Sequence, residues 1–138
     1  MKVFLDTSAF AKRYVVEQGT DALNDLWRKA DGLFVSIMCL PELVSTLSRL
    51  VRAKKLGKPE YLKLKNQAME DLQDMDICQI TPSVLHTAVP LLQAYPLRCM
   101  DALHVACALT VASDAFVSAD RRQLSAAKKS GLKIVDLS

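Results

Sequence analysis

The chain has 138 residues, 51% of them hydrophobic and 24% charged, with a net charge of +3. That length and apolar share suit one domain, residues 1–138, with a core of its own. No apolar run is long enough to span a bilayer and no signal-peptide pattern follows Lys2, so the expectation is a cytoplasmic protein with no membrane partner.

Short apolar runs alternate with helical repeats. Lys2 to Leu5 reads as a buried strand, and Thr7 to about Tyr14 as a helix capped by Asp6, Thr7 or Ser8. Leu23, Leu26 and Trp27 keep helical spacing through Thr20 to Ala30, which Asp31-Gly32 stops. Leu33 to Ile37 is a second strand. Pro41 suits the first turn of a helix that runs through Leu43, Leu47 and Leu50 to Lys54-Lys55, with Gly57 as its stop. Pro59 opens another helix, holding Leu62, Leu64, Ala68, Met69 and Leu72, and Ile77 to Ile80 is a third strand. Thr81-Pro82 starts a helix to about Tyr95, in which Pro90 predicts a kink or a split. Met100 to Ala112 is helical, Ala115 to Ser118 a fourth strand, Leu124 to Ser130 a short helix ended by Gly131, and Ile134-Val135 a last strand. Strands separated by helices need crossovers, which predicts an α/β fold of three layers: a parallel central sheet of four to five strands flanked by helices.

Cys39, Cys78, Cys99 and Cys107 form no C-x-x-C pair and sit among apolar residues, which points to buried reduced thiols. His86 and His104 lie in helical stretches and read as structural or surface residues, so a zinc site of ordinary composition is hard to build.

The chemistry is carried by acids. Asp6 and Asp120 follow the first and fourth strands, Glu42 opens the helix after the second, and Asp101 opens the helix feeding the fourth. Each has a bland explanation as a helix cap or first-turn carboxylate. Together they fall at one place: with the first strand central and the fourth beside it, the switch point of the sheet lies between them, and all four acids face one crevice. The four account for −4, leaving +7 on the rest of the chain, a basic surface around an acidic pit. One like-charge pair at about 5 Å and an effective dielectric of about 20 costs roughly 3 kcal/mol, so the cluster must raise its pKa values or bind metal, and Asp101→Asn would relieve it. Hard Mg²⁺ or Mn²⁺ prefers such oxygen ligands, and a phosphodiester suits it as substrate.

Four stretches resemble the PIN-domain ribonucleases, and among them the VapC toxins of VapBC toxin–antitoxin pairs. They are Val3-Phe4-Leu5-Asp6-Thr7-Ser8, Ser36 to Leu43 with Glu42, Leu97 to Ala106 with Asp101, and Ala115 to Leu124 with Asp120. The resemblance implies Mg²⁺-dependent endonucleolytic cleavage of RNA by a metal-activated water, leaving a 3′-hydroxyl and a 5′-phosphate. It implies Asp6, Asp101 and Glu42 as main metal ligands, Asp120 as ligand or water-orienting base, and Thr7, Ser8 and Ser118 supporting them. Lys12, Arg13, Arg98, Arg121 and Arg122 are candidates for RNA phosphates. The family further implies a homodimer and an antitoxin protein whose peptide fills the crevice, with the helical pair from Pro41 to Asp74 offering apolar surface.

Two departures stand out. Ser118 replaces a threonine common among relatives but keeps the hydroxyl. Arg122 stands where some relatives carry a further acid, which makes a second metal site poorer and admits a one-metal mechanism. The alternative within the fold is a non-catalytic PIN-like scaffold that binds RNA or protein. Phosphatases of the haloacid-dehalogenase type need a second Asp where this chain has Ser8. Receiver domains need an acidic neighbour for Asp6 and an Asp after the third strand, where Thr81-Pro82 stands.

Overall fold

A computed structural model describes residues 1–138. The elements in chain order are β1 (Lys2–Leu5), α1 (Thr7–Ala11), α2 (Thr20–Lys29), β2 (Gly32–Ser36), α3 (Cys39–Arg52), α4 (Lys58–Gln73), β3 (Asp76–Cys78), α5 (Pro82–Ala94), α6 (Cys99–Thr110), β4 (Ala115–Ser118), α7 (Arg121–Lys129) and β5 (Lys133–Asp136). All five strands pair in parallel, in the order β3-β2-β1-β4-β5. The expected parallel α/β sheet is therefore present, with β1 at its centre and β4 beside it.

Strand side chains alternate between faces, and two cores result. Val3, Leu5, Val35 and Val117 pack with Phe10 of α1, Leu23 of α2, Leu43 and Leu47 of α3 and Ala68 of α4. Phe4 and Phe116 point the other way, onto Val84, Ala88 and Leu91 of α5, Val105 and Ala106 of α6, and Leu124 of α7. Phe4 and Phe116 stack at 5.9 Å between ring centroids, as their paired register requires. Each fully buried Val, Leu or Phe among these contributes about 1.5–3 kcal/mol of transfer free energy.

Several boundaries differ from the sequence reading. The first helix ends at Ala11, and residues 12–14 form turns rather than a further helical turn. The third helix begins at Cys39, two residues before Pro41, and the last begins at Arg121, because Asp120 caps it. Pro90 does not split its helix: α5 runs unbroken from Pro82 to Ala94, started by the Thr81 hydroxyl on the Val84 amide. Of the four free thiols, Cys39, Cys78 and Cys107 are buried as expected, but Cys99 is exposed. No helix is long and apolar enough to cross a membrane.

Candidate active site

The pairing of β1 with β4 sets the floor of the site. Leu5 lies beside Val117, so the next residue, Asp6, arrives beside Ser118. Its amide bonds the Val117 carbonyl at 3.2 Å, continuing the ladder one step past the strand. The Asp6 carboxylate is fully buried. It accepts from Ser118 Oγ at 2.6 Å, Ser8 Oγ at 2.8 Å and the Ala9 amide at 2.9 Å, the last being the N-cap bond of α1. The two hydroxyls also accept from backbone amides just past β4: Ser8 Oγ from the Ala119 amide at 3.0 Å, and Ser118 Oγ from the Asp120 amide at 2.8 Å. Ser8 and Ser118 thus tie the ends of β1 and β4 together across Asp6.

The other three acids close around this floor. Asp6, Glu42, Asp101 and Asp120 all line one cleft of about 650 Å³, with Thr7, Ser8, Thr46, Arg49 and Arg98 among its other walls. Glu42, in the first turn of α3, accepts from Thr7 Oγ1 at 2.7 Å and lies 2.5 Å from His104 Nε2, both on its Oε1. Asp101, buried in the first turn of α6, accepts from Gln123 Nε2 at 3.0 Å on Oδ1 and from Arg98 Nε at 3.2 Å on Oδ2. Asp120 is only partly buried and accepts from the Arg122 amide at 2.9 Å as the cap of α7.

Not every candidate basic residue joins them. Arg98 lines the cleft, and Arg121 and Arg122 are exposed on the first turn of α7, directly after Asp120. Lys12 reaches the cleft wall, but its side chain is buried and its ammonium is committed to the Gln18 carbonyl at 2.7 Å and to Glu17 at 3.2 Å. Arg13 lies elsewhere, in a second cleft with Tyr14, Asn24 and Trp27. There it bonds Asp71 at 3.1 Å and stacks over the Trp27 ring at 4.1 Å. Its side chain is engaged in the fold, not in the acidic crevice.

Two site residues escape the sequence reading. His104, read there as structural or surface, is buried against Glu42 and lies 3.3 Å from Thr7 Oγ1. The signal for it is its spacing: it stands three residues after Asp101, one turn along the same helical face. Gln123 holds Asp101 from α7. It stands three residues after Asp120, where Asp-x-x-Gln looks like an ordinary capping pattern and hides the contact to another helix.

The electrostatics differ from acid to acid. Burial pushes the Asp6 carboxyl up, against the pull of its bonds to Ser118 and Ala9, of nearby His104 and of Ser8. Burial also raises Glu42, but the hydrogen bond and proximity of His104, the Thr7 hydroxyl and nearby Arg98 outweigh it and hold that carboxyl below its usual range. The Cys39 thiol behind the site is pushed up to about 12, chiefly by burial and further by Asp6 and Glu42, so it stays protonated and is no nucleophile.

A hard divalent cation fits this donor set in kind. The cleft presents four carboxylates, and no lysine or arginine forms an ion pair with buried Asp6. In placement the fit is incomplete: no three His, Cys, Asp or Glu side chains gather closely enough to hold a metal ion. Glu42 and Asp101 are turned onto protein donors, and Asp120 onto its own helix.

Known proteins resemble this chain in sequence and in fold. Ribonuclease VapC45 of Mycobacterium tuberculosis is 29% identical over 134 residues, covering 96% of this chain and 93% of that protein. Among solved structures, M. tuberculosis VapC20, a sarcin-ricin loop cleaving toxin, superposes with a TM-score of 0.72 at 16% identity, over 97% of this chain and 98% of that one. VapBC2 from Rickettsia felis, bound to a DNA fragment from its promoter, gives 0.70 at 13% identity over the whole of both chains. A model of the PIN domain matches residues 3–129, nearly the whole length, and the chain belongs to the PIN domain family.

Proposed function

We propose that this chain is a single-domain, metal-dependent endoribonuclease and the toxin of a toxin–antitoxin pair. The observation that carries the reading is the convergence of Asp6, Glu42, Asp101 and Asp120 in one cleft at the sheet's switch point. The names of its relatives support it: a ribonuclease among those of similar sequence, and a toxin and a toxin–antitoxin complex among those of similar fold.

Asp6, Asp101 and Glu42 would hold Mg²⁺ or Mn²⁺, with Asp120 as a further ligand or as the base. When bound, the cation lowers the pKa of its water and offsets charge developing on the phosphate oxygens. The chain's own residues do the rest. Thr7, Ser8 and Ser118 fix the carboxylates on which they donate. Asp120 bonds the α7 amides through Oδ1, which leaves Oδ2 open to take a proton from the attacking water. Arg98, which lines the cleft, and Arg121 and Arg122, exposed on the first turn of α7, would pair with RNA phosphates. The products are a 3′-hydroxyl and a 5′-phosphate. A second copy of the chain and an antitoxin protein are the assembly partners.

One observation favours a second reading, a non-catalytic RNA- or protein-binding scaffold: the acids do not gather around one point as they stand. Incubation with total cellular RNA decides between them. With Mg²⁺ the wild type should create new 5′-phosphate ends that neither Asp6→Asn nor added chelator permits. Identical ends in all three samples would refute the nuclease.

A further inference from the structure

The positive charge of the chain is unevenly spread. Between Arg49 and Lys65 stand seven basic side chains and one acid, Glu60, a local charge of +6. The four cleft acids leave +7 on the rest of the chain, so all but +1 of it sits in this one stretch. None of the seven forms an ion pair, whereas Lys12, Arg13, Arg28 and Arg98 each hold a nearby acid. All but Lys65 are exposed, and together they cover the corner where α3 turns into α4. The stretch begins inside the acidic cleft. Glu42, Thr46 and Arg49 stand at successive turns on one face of α3, and all three line it. Arg52, one turn further on, leads to a separate groove of about 390 Å³, which it lines with Lys58, Tyr61 and Leu62.

Helix chemistry explains part of this corner. Arg49 and Arg52 lie in the last turn of α3, where cations complement the helix dipole. It does not explain Lys54 or Lys58. The Lys55 amide bonds the Leu50 carbonyl at 2.9 Å and the Lys54 amide bonds the Val51 carbonyl at 3.0 Å, which puts Lys54 in the left-handed region at φ +58°. That place in a helix stop favours glycine, and a side chain there costs the fold. Lys58 is the first residue of α4, at the positive end of that helix's dipole. Two cations thus stand where backbone and dipole disfavour them, among other cations that repel them. We infer that the α3–α4 corner is an RNA-binding surface continuous with the cleft, on which Lys54 and Lys58 pair with phosphates of the strand beyond the cleaved bond. The inference rests on the ribonuclease reading above. Continuity with the cleft favours the substrate strand over a separate acidic protein. Tyr61, partly exposed in the groove, adds an aromatic ring of the kind on which bases stack.

The test measures binding of a labelled single-stranded RNA to the full chain in chelator, across a series of salt concentrations. Lys54→Gly and Lys58→Gln are made separately and together. Lys133→Gln, exposed at the amino end of β5, is the control of equal charge. Each corner variant should flatten the log–log salt slope by about 0.7, and the pair by about 1.4, while the control leaves it unchanged. Both single variants should melt at or above the wild-type temperature, since each relieves a strained or repelled cation. Slopes equal to wild type in a chain that binds and cleaves RNA would overturn this inference alone. So would an equal flattening by Lys133→Gln, which reports net charge and no surface, or lower melting temperatures in both single variants, which give the lysines to the fold. A poly-glutamate peptide that binds more tightly than RNA, and loses affinity in the corner variants, would assign the surface to an acidic protein and overturn it as well. A wild type that neither binds nor cleaves RNA overturns the ribonuclease reading and this inference with it. Flattened slopes in a chain that never cleaves with Mg²⁺ would overturn the nuclease and leave the RNA surface standing.

Discussion

Asp6 and Asp120 invite comparison because their local chemistry is the same. Each follows one of two adjacent strands, and each caps the next helix through a 2.9 Å bond from a backbone amide. Their surroundings differ. Asp120 is partly open to solvent and bonds only its own helix, which is all that a cap requires. Asp6 stands at the end of the central strand, fully buried, with two hydroxyls added to its cap bond and its pKa still held up by burial. Capping accounts for Asp120 but not for the burial of Asp6. The difference lies in the layers packed over the strand ends, not in the residues adjacent in sequence.

Substituting each acid tests that contrast, and the largest effect belongs to Asp6. Asp6→Asn should reduce RNA cleavage by more than about a hundredfold, beyond the loss typical of removing a neighbour of a metal ligand. In chelator the same variant should melt higher than wild type. The gain should depend on pH, because the folded-state pKa of Asp6 lies above its unfolded value. Wild type keeps the benefit of a protonated Asp6 below the unfolded pKa, near 4, and loses it as pH rises through the folded pKa. The margin of Asp6→Asn over wild type therefore widens across that window and is flat above it. A margin that narrows with rising pH would contradict the burial argument.

Asp101→Asn comes next, and here the structure revises the sequence-based expectation. Asp101 is not an unrelieved like charge, since Gln123 and both the amide and the side chain of Arg98 donate to it. Its melting temperature in chelator should stay level or fall, in contrast to Asp6→Asn. Asp120 should separate its two tasks. Asp120→Ala removes the cap of α7 and costs about 1 kcal/mol in urea unfolding. Asp120→Asn keeps the cap and the stability, so any loss of cleavage in that variant reports on the open Oδ2. The smallest effects concern the basic residues. Arg122→Ala should flatten the salt dependence of RNA binding by about 0.7 in the log–log slope, measured on the inactive Asp6→Asn background. Arg13→Ala should leave that slope alone and lower stability instead, by freeing Asp71 and Trp27.

Much of this was legible in the sequence, and the limits have physical causes. Short apolar runs marked the strands, and crossovers forced a parallel sheet. Placement at strand ends and helix starts was enough to gather the four acids. Helix ends were less legible, because α7, capped by Asp120, starts at Arg121, three residues before the first apolar position, and the packed context tolerates Pro90 inside α5. Charge alone did not say which face carries Arg13, nor that Lys12 spends its ammonium on Gln18 and Glu17. His104 and Gln123 were missed because their roles are set by contacts between helices: spacing puts His104 on the face of Asp101, but it does not show the bond to Glu42, nor that of Gln123 to Asp101.

The Ser8 and Ser118 cross-ties also bear on motion. The amides of Ala119 and Asp120 lie beyond β4, where loop amides ordinarily exchange with solvent quickly. Here they donate to the same two hydroxyls that grip Asp6. Opening that loop means breaking the central acid's shell at the same time, so both amides should show the slow deuterium uptake of the sheet interior. With the floor tied in this way, adjustment to an incoming RNA strand would fall to the cleft rim and to the strand itself.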